Sequence, residues 1–187
     1  LLRALRGECG ADRHAGFEEV MKNYPDIKVT SVFTDWALNK TAQTMKDLLA
    51  SGKQIDGIWT SGLDLPVVEA YKTAGKPFVP VVGADNNGFL GALIDQHDKG
   101  LSGVAVSNPP AVGGAGLALA LDVLEKKKDH PHEVKITPTV WDTDTGMDTI
   151  KASYDPKLDP FYSVAVSVEG YTTYTKDQIL ACKGPGE

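Results

Sequence analysis

Cysteine is almost missing from this chain. Cys9 and Cys182 stand near its opposite ends, an arrangement that suits neither a close-spaced metal clip nor a dense disulfide framework. Whether the two pair, and hence the redox compartment, stays open. Positive charge is also scarce. The 19 Lys and Arg residues against 25 Asp and Glu leave a formal net charge of -6 and a pI near 5.2. That balance offers no long-range attraction for phosphate backbones or anionic lipid, so nucleic acid is not an expected partner. The longest basic run, Lys126-Lys127-Lys128, falls at the end of an expected helix, where cations complement the dipole. No stretch approaches the roughly 20 apolar residues that cross a bilayer, and no charged segment followed by an apolar core opens the chain. Leu1 to Leu5 read instead as the inside of an apolar strand with no initiator Met before them, so the chain is expected to begin in the middle of a larger protein.

What is present is apolar material, 42% of 187 residues, enough to bury a core in one domain of ordinary size. From Ala11 to Asn108, short β-branched runs alternate with longer segments of helical period, the signature of βαβ units on a parallel sheet. Phe17, Val20, Met21 and Tyr24 recur at helical spacing and predict a helix over 13–23. Strands are expected over 27–33, 55–60, 78–82 and 103–107, and helices over 39–50, 66–73 and 88–96. Trp59 falls inside a strand and reads as core. The fold class is α/β, a three-layer sandwich around a parallel central sheet. Beyond Asn108, Pro109-Pro110 imposes an extended crossing, and a Gly- and Ala-rich helix over 112–127 offers small residues for close packing against another body. The tail from Thr137 holds only short pieces, strand-like over 162–168 and helical over 176–182, and no core of its own is expected there.

The chemistry gathers by position. Arg13 follows the first apolar segment, Trp36 the second, Ser61 to Asp64 the third, Asp85 the fourth and Asn108 the fifth. Binding crevices of open parallel sheets lie at the carboxyl ends of the strands, so these residues would line one rim. They suit a polyol. Arg and Asp grip hydroxyls with charge-assisted bonds, about twice as strong as neutral ones. Trp36 can cover an apolar sugar face, a burial that contributes on the order of 1.5 to 3 kcal/mol, and Asn108 brings donors and an acceptor. Other readings remain beside these: Asp85 and Asn108 also suit turns, Ser61 and Asp64 suit helix N-caps, and Arg13 suits a surface helix start.

Three further patterns lead nowhere definite. Cys9 and His14 lack an orienting third group for nucleophilic catalysis. Asp142-x-Asp144-x-Gly146 departs from a calcium loop at Gly146 and Ser153. Gly114-x-Gly116 has Leu119 where a dinucleotide fingerprint needs its third glycine. No cofactor, metal or catalytic residue is therefore expected.

Ala11-Asp12-Arg13-His14-Ala15-Gly16-Phe17, then Thr34-Asp35-Trp36, then Ile55-Asp56-Gly57-Ile58-Trp59-Thr60-Ser61, then Val82-Gly83-Ala84-Asp85 resemble, in order and spacing, the second lobe of ribose-binding-protein-type periplasmic receptors. The resemblance is strong from Gly10 to Asn108 and looser to Pro138. It departs where Ser61-Gly62-Leu63-Asp64 replaces a common amide and where Asn86-Asn87 follows Asp85. It implies a type I periplasmic-binding-protein lobe over 1–108, a segment over 109–139 that belongs to the other, largely absent lobe, and a tail over 140–187 packing back on the lobes. It also implies a periplasmic or extracytoplasmic, non-enzymatic receptor that takes a sugar or polyol through Arg13, Trp36, Asp85 and Asn108 and delivers it to the membrane permease of an ABC transporter. The exposed face of the 112–127 helix would be covered by the missing N-terminal lobe or by a second copy of the chain. The same lobe architecture occurs as the effector-binding core of LacI-type repressors, a reading that would require a helix-turn-helix segment.

Overall fold

The computed structural model describes residues 8–127 and 129–184, apart from the side chains of Glu8 and Cys9. The strand expected over 1–5, Lys128 and the Cys9 thiol lie outside the described residues. The chain runs α1 (Glu8–Met21), α2 (Leu38–Ala50), β1 (Ile58–Trp59), α3 (Asp64–Ala74), β2 (Val81–Ala84), α4 (Asn87–Gln96), a 3-10 turn (His97–Lys99), β3 (Gly103–Val106), α5 (Val112–Leu124), β4 (Val140–Asp142), α6 (Met147–Ser153) and α7 (Lys176–Leu180).

Strands β1, β2 and β3 lie side by side and parallel, with Ile58 opposite Val81 and Val81 opposite Gly103. Strand β4 closes the sheet antiparallel to β3, Trp141 facing Ala105. Burial alternates along β2 and β3 with the period of a pleated strand. Ile58, Val81 and Ala105 sit in one core with Val67 and Val68 of α3, Phe89, Leu90 and Leu93 of α4, and Met45 and Leu49 of α2. Each fully buried side chain of this kind contributes roughly 1.5 to 3 kcal/mol. Trp59, expected as core, is half-buried, and Phe17 of α1 stacks on it at 5.1 Å.

One expectation changes. Residues 27–33 are not one of the described strands: Ile27 and Phe33 are more than half exposed, and the described sheet runs β1-β2-β3-β4 without them. β-branched residues favour a strand where a neighbouring edge receives them, and among the described residues β1 is paired only on its β2 side. The tail holds only short elements, and they pack on the main body. Trp141 and Ile150 join the main core, and the Trp141 indole N–H donates to Ser153 Oγ at 2.9 Å. A three-residue strand such as Val140-Trp141-Asp142 is too short to leave a periodic signal. Residues 162–168 make one isolated bridge, Ser163 to Asn86, and α7 opens with a capping box between Thr175 and Gln178.

Helix α5 stands apart. Only Ala115 of it is buried, in a small cluster with Ala111 and Val168, and a groove of about 700 Å³ lies along it, lined by Val112, Leu119, Val123, His130, Ile136 and Tyr171 among others.

Candidate ligand-binding rim

Ser61 and Asp64 follow β1, Asp85 follows β2 and Asn108 follows β3, so all four stand at the carboxyl edge of the parallel strands. Arg13, from α1, reaches the same edge: its Nη1 donates to Ser61 O at 3.0 Å. Trp36 arrives by an unusual backbone. Asp35 and Trp36 both adopt positive φ, 51° and 57°, a conformation that L-residues visit at a cost and that concentrates at functional sites. Thr34 anchors this turn, its carbonyl accepting from Ala37 N–H at 2.9 Å while its hydroxyl pairs with that of Thr41. Lys40 meets Asp35 at 2.7 Å on the outside. The indole is 39% exposed and lies along Gly62: a Cβ there would stand 3.3 Å from Trp36 Cζ3. Gly62 also has φ of 129°, a region that side chains rarely enter.

Beneath this surface, Asp64 is fully buried. Thr60 Oγ1 donates to its Oδ1. Its Oδ2 accepts from Ala84 N–H at 3.2 Å and Asn86 Nδ2 at 3.1 Å. Burial raises its pKa from 3.8 to about 6, against the opposing pull of the bonds from Thr60, Ala84 and Asn86. Asp64 was expected on the binding surface; the structure sets it inside, with both oxygens engaged. Asp85 is also buried, and its carboxylate joins three segments. Oδ1 accepts from Asn108 N–H at 2.9 Å, and Oδ2 from Ser163 Oγ at 2.6 Å and Ala165 N–H at 2.9 Å. A carboxylate offers about four acceptor positions, so its capacity is largely taken. The Asn108 side chain is exposed, and Ser61 Oγ is buried with no partner.

All six residues named from the sequence thus meet at one edge, in two bonded groups that touch at the neighbouring residues Asp85 and Asn86. Thr60, Asn86 and Ser163 complete those groups and were not anticipated. Asn86 was visible only as part of an unusual Asn-Asn pair, and Ser163 carried no signal. His14, considered as a base, contacts the Glu18 carboxylate through Nε2 and keeps Nδ1 buried without a partner. In the Asp142 loop the carboxylate accepts from the Asp144 N–H and the Thr145 hydroxyl, capping its own turn.

A family profile described as periplasmic binding protein domain matches residues 10–128. The chain belongs to this family. A periplasmic binding protein domain of this kind has characterised relatives. The xylitol-binding protein of Mycolicibacterium smegmatis is 35% identical over 129 residues, 67% of this chain and 36% of that protein. The arabinose ABC transporter's periplasmic binding component from a Shewanella species, solved with L-arabinofuranose, superposes with a TM-score of 0.65 at 24% identity, over 81% of this chain and 53% of its own. An ABC transporter solute-binding protein from Thermobispora bispora gives 0.65 at 22% identity, over 100% of this chain and 57% of its own. At these identities the two solved structures share the fold with this chain, which is the type I lobe expected from its sequence. The chain spans about a third of the xylitol-binding protein and just over half of the two solved structures. The relatives are binding proteins rather than enzymes.

Proposed function

We propose that this periplasmic binding protein domain is the sugar- or polyol-binding lobe of an extracytoplasmic solute receptor, serving the membrane permease of an ABC transporter. The convergence of Arg13, Trp36, Ser61, Asp85 and Asn108 on one strand edge carries this reading, and the names of the relatives, xylitol-binding and arabinose-transporting, support the ligand class. In it, the indole of Trp36 covers one face of the ligand and Arg13 grips its hydroxyls. Asn108 contributes its exposed amide at the start of the crossing, and the fourth acceptor position of Asp85 and the unpartnered Ser61 hydroxyl complete the polar edge. A second lobe closes over the ligand by rotation about the crossing segments, and closure presents the surface that the permease reads. No bond is made or broken.

Calorimetric titration with a panel of pentoses and sugar alcohols, on a receptor carrying this lobe and a facing lobe, tests the reading. Trp36→Ala and Arg13→Ala are each expected to remove most of the affinity while circular dichroism stays native. Unchanged titrations for both would remove the site assignment. This lobe alone is expected to bind weakly or not at all, and micromolar affinity for it would contradict the need for closure.

A further inference from the structure

We propose that Asp64 is the positioning residue of the rim: its buried carboxylate holds the turn at residues 60–63 on which the Trp36 ring and the Arg13 guanidinium rest. The inference deepens the binding reading above and rests on it for its consequence in ligand affinity, though not for its geometry.

The carboxylate grips the Gly62 peptide from two directions. On one side, Thr60 Oγ1 donates to Asp64 Oδ1 and accepts from Gly62 N–H at 3.2 Å. On the other, Asn86 Nδ2 donates both to Asp64 Oδ2 at 3.1 Å and to Gly62 O at 3.0 Å. Gly62 is the residue that Trp36 lies against, and the adjoining Ser61 carbonyl receives Arg13. The proposed contacts Trp36, Arg13 and Ser61 therefore all rest on a turn held by one carboxylate. Strand β2 is shaped to admit it: a Cβ at Gly83 would stand 2.1 Å from Asp64 Oδ1, closer than any side chain tolerates. Helix capping does not account for the residue, because the N-cap of α3 is Leu63 and the Asp64 oxygens turn to the strand ends.

An ionised Asp64 accepts all three donors. A protonated one gives up acceptor capacity and must reorient a partner, which slackens the hold on Gly62. The rise of its pKa to about 6 puts this change within reach of experiment. The titratable groups on surrounding elements include Asp12, Arg13, His14, Glu18 and Glu19 on α1, Lys40, Lys46 and Asp47 on α2, Glu69, Tyr71 and Lys72 on its own helix, Asp85 after β2 and Asp95 on α4. None is a cause of the shift, which burial and hydrogen bonds account for.

The Trp36 indole N–H resonance, assigned through Trp36→Phe, should be followed by NMR in this chain between about pH 5 and pH 7, spanning the raised carboxyl value. The wild type is expected to titrate near pH 6. Thr60→Val, which deletes a bond that favours the charged form, is expected to move the midpoint upward, and Asp64→Asn to flatten the curve. A wild-type signal with no inflection, an unmoved midpoint in Thr60→Val, or an inflection that survives in Asp64→Asn would overturn the proposal. In the two-lobed receptor, sugar affinity is expected to fall several-fold below pH 6 in the wild type and to lose that dependence in Asp64→Asn. A Trp36 signal that titrates while no sugar binds supports the positioning role and overturns only the functional reading.

Discussion

Helices α4 and α5 are made of similar material and meet opposite fates. Each follows a strand of the same parallel sheet and each is rich in Leu, Ala and Gly. In α4, Phe89, Leu90 and Leu93 have no exposed surface, while in α5 Leu117 is 62% exposed and Leu124 77%. The difference lies in what the connection allows. The link from β2 into α4 is tight, so the helix returns along the strands and lays its apolar side on Val81 and Ala105. The link from β3 into α5 passes through Pro109-Pro110, whose fixed φ and restriction of the preceding residue carry the chain away from the sheet. Apolar composition says that a helix wants a partner; connection geometry says whether its own sheet supplies one.

That contrast can be broken most forcefully in α4. Phe89→Ala empties the middle of the core and is expected to cost about 3 to 5 kcal/mol in urea unfolding; a loss below 1 kcal/mol would mean that α4 is held no better than α5. The sheet side of the contrast also carries a pH signature through Asp64. Its folded pKa of about 6 lies above the ordinary carboxyl value of 3.8, so the folded state binds this proton more tightly than the unfolded chain does. The resulting stability is fully present below pH 3.8 and is lost as pH rises through about 6, with a span on the order of 3 kcal/mol. Relative to the wild type, Asp64→Asn should therefore gain stability between pH 4 and pH 7. Parallel stability curves for the two proteins would remove the linkage.

The same contrast explains what could be read from the sequence. Strands β2 and β3 were legible because Val-rich runs bounded by Gly and Pro coincide with places where a neighbouring strand waits on each side. Residues 27–33 carry an equally good β signal in Ile27, Val29 and Val32, but β propensity reflects packing against neighbours rather than the backbone alone, and these residues stand outside the described sheet. On the rim, Asp85 and Asn108 were readable because the rule for parallel sheets fixes where strands end, while Arg13 and Trp36 reach the same edge with no described strand before them. The burial of Asp64 and the bond from Ser163 to Asp85 were not, since they join residues 20 or more positions apart with no period to announce them. The interior of a site is tertiary information; its perimeter is closer to secondary structure.

The smaller effects mark where the packed body ends. Ile150, far along the tail, is fully buried beside α4, so Ile150→Val should cost about 0.5 to 1.5 kcal/mol, as a core position would. Leu124→Ala, on the most exposed large apolar side chain of α5, is expected to change unfolding by no more than about 0.5 kcal/mol. The two substitutions use one measurement, and the larger deletion is expected to cost less because Leu124 lies outside the core that holds Ile150. A cost above about 1 kcal/mol at Leu124 would mean that this face is covered in solution, and that the difference between α4 and α5 lies in which body buries them rather than in whether they are buried.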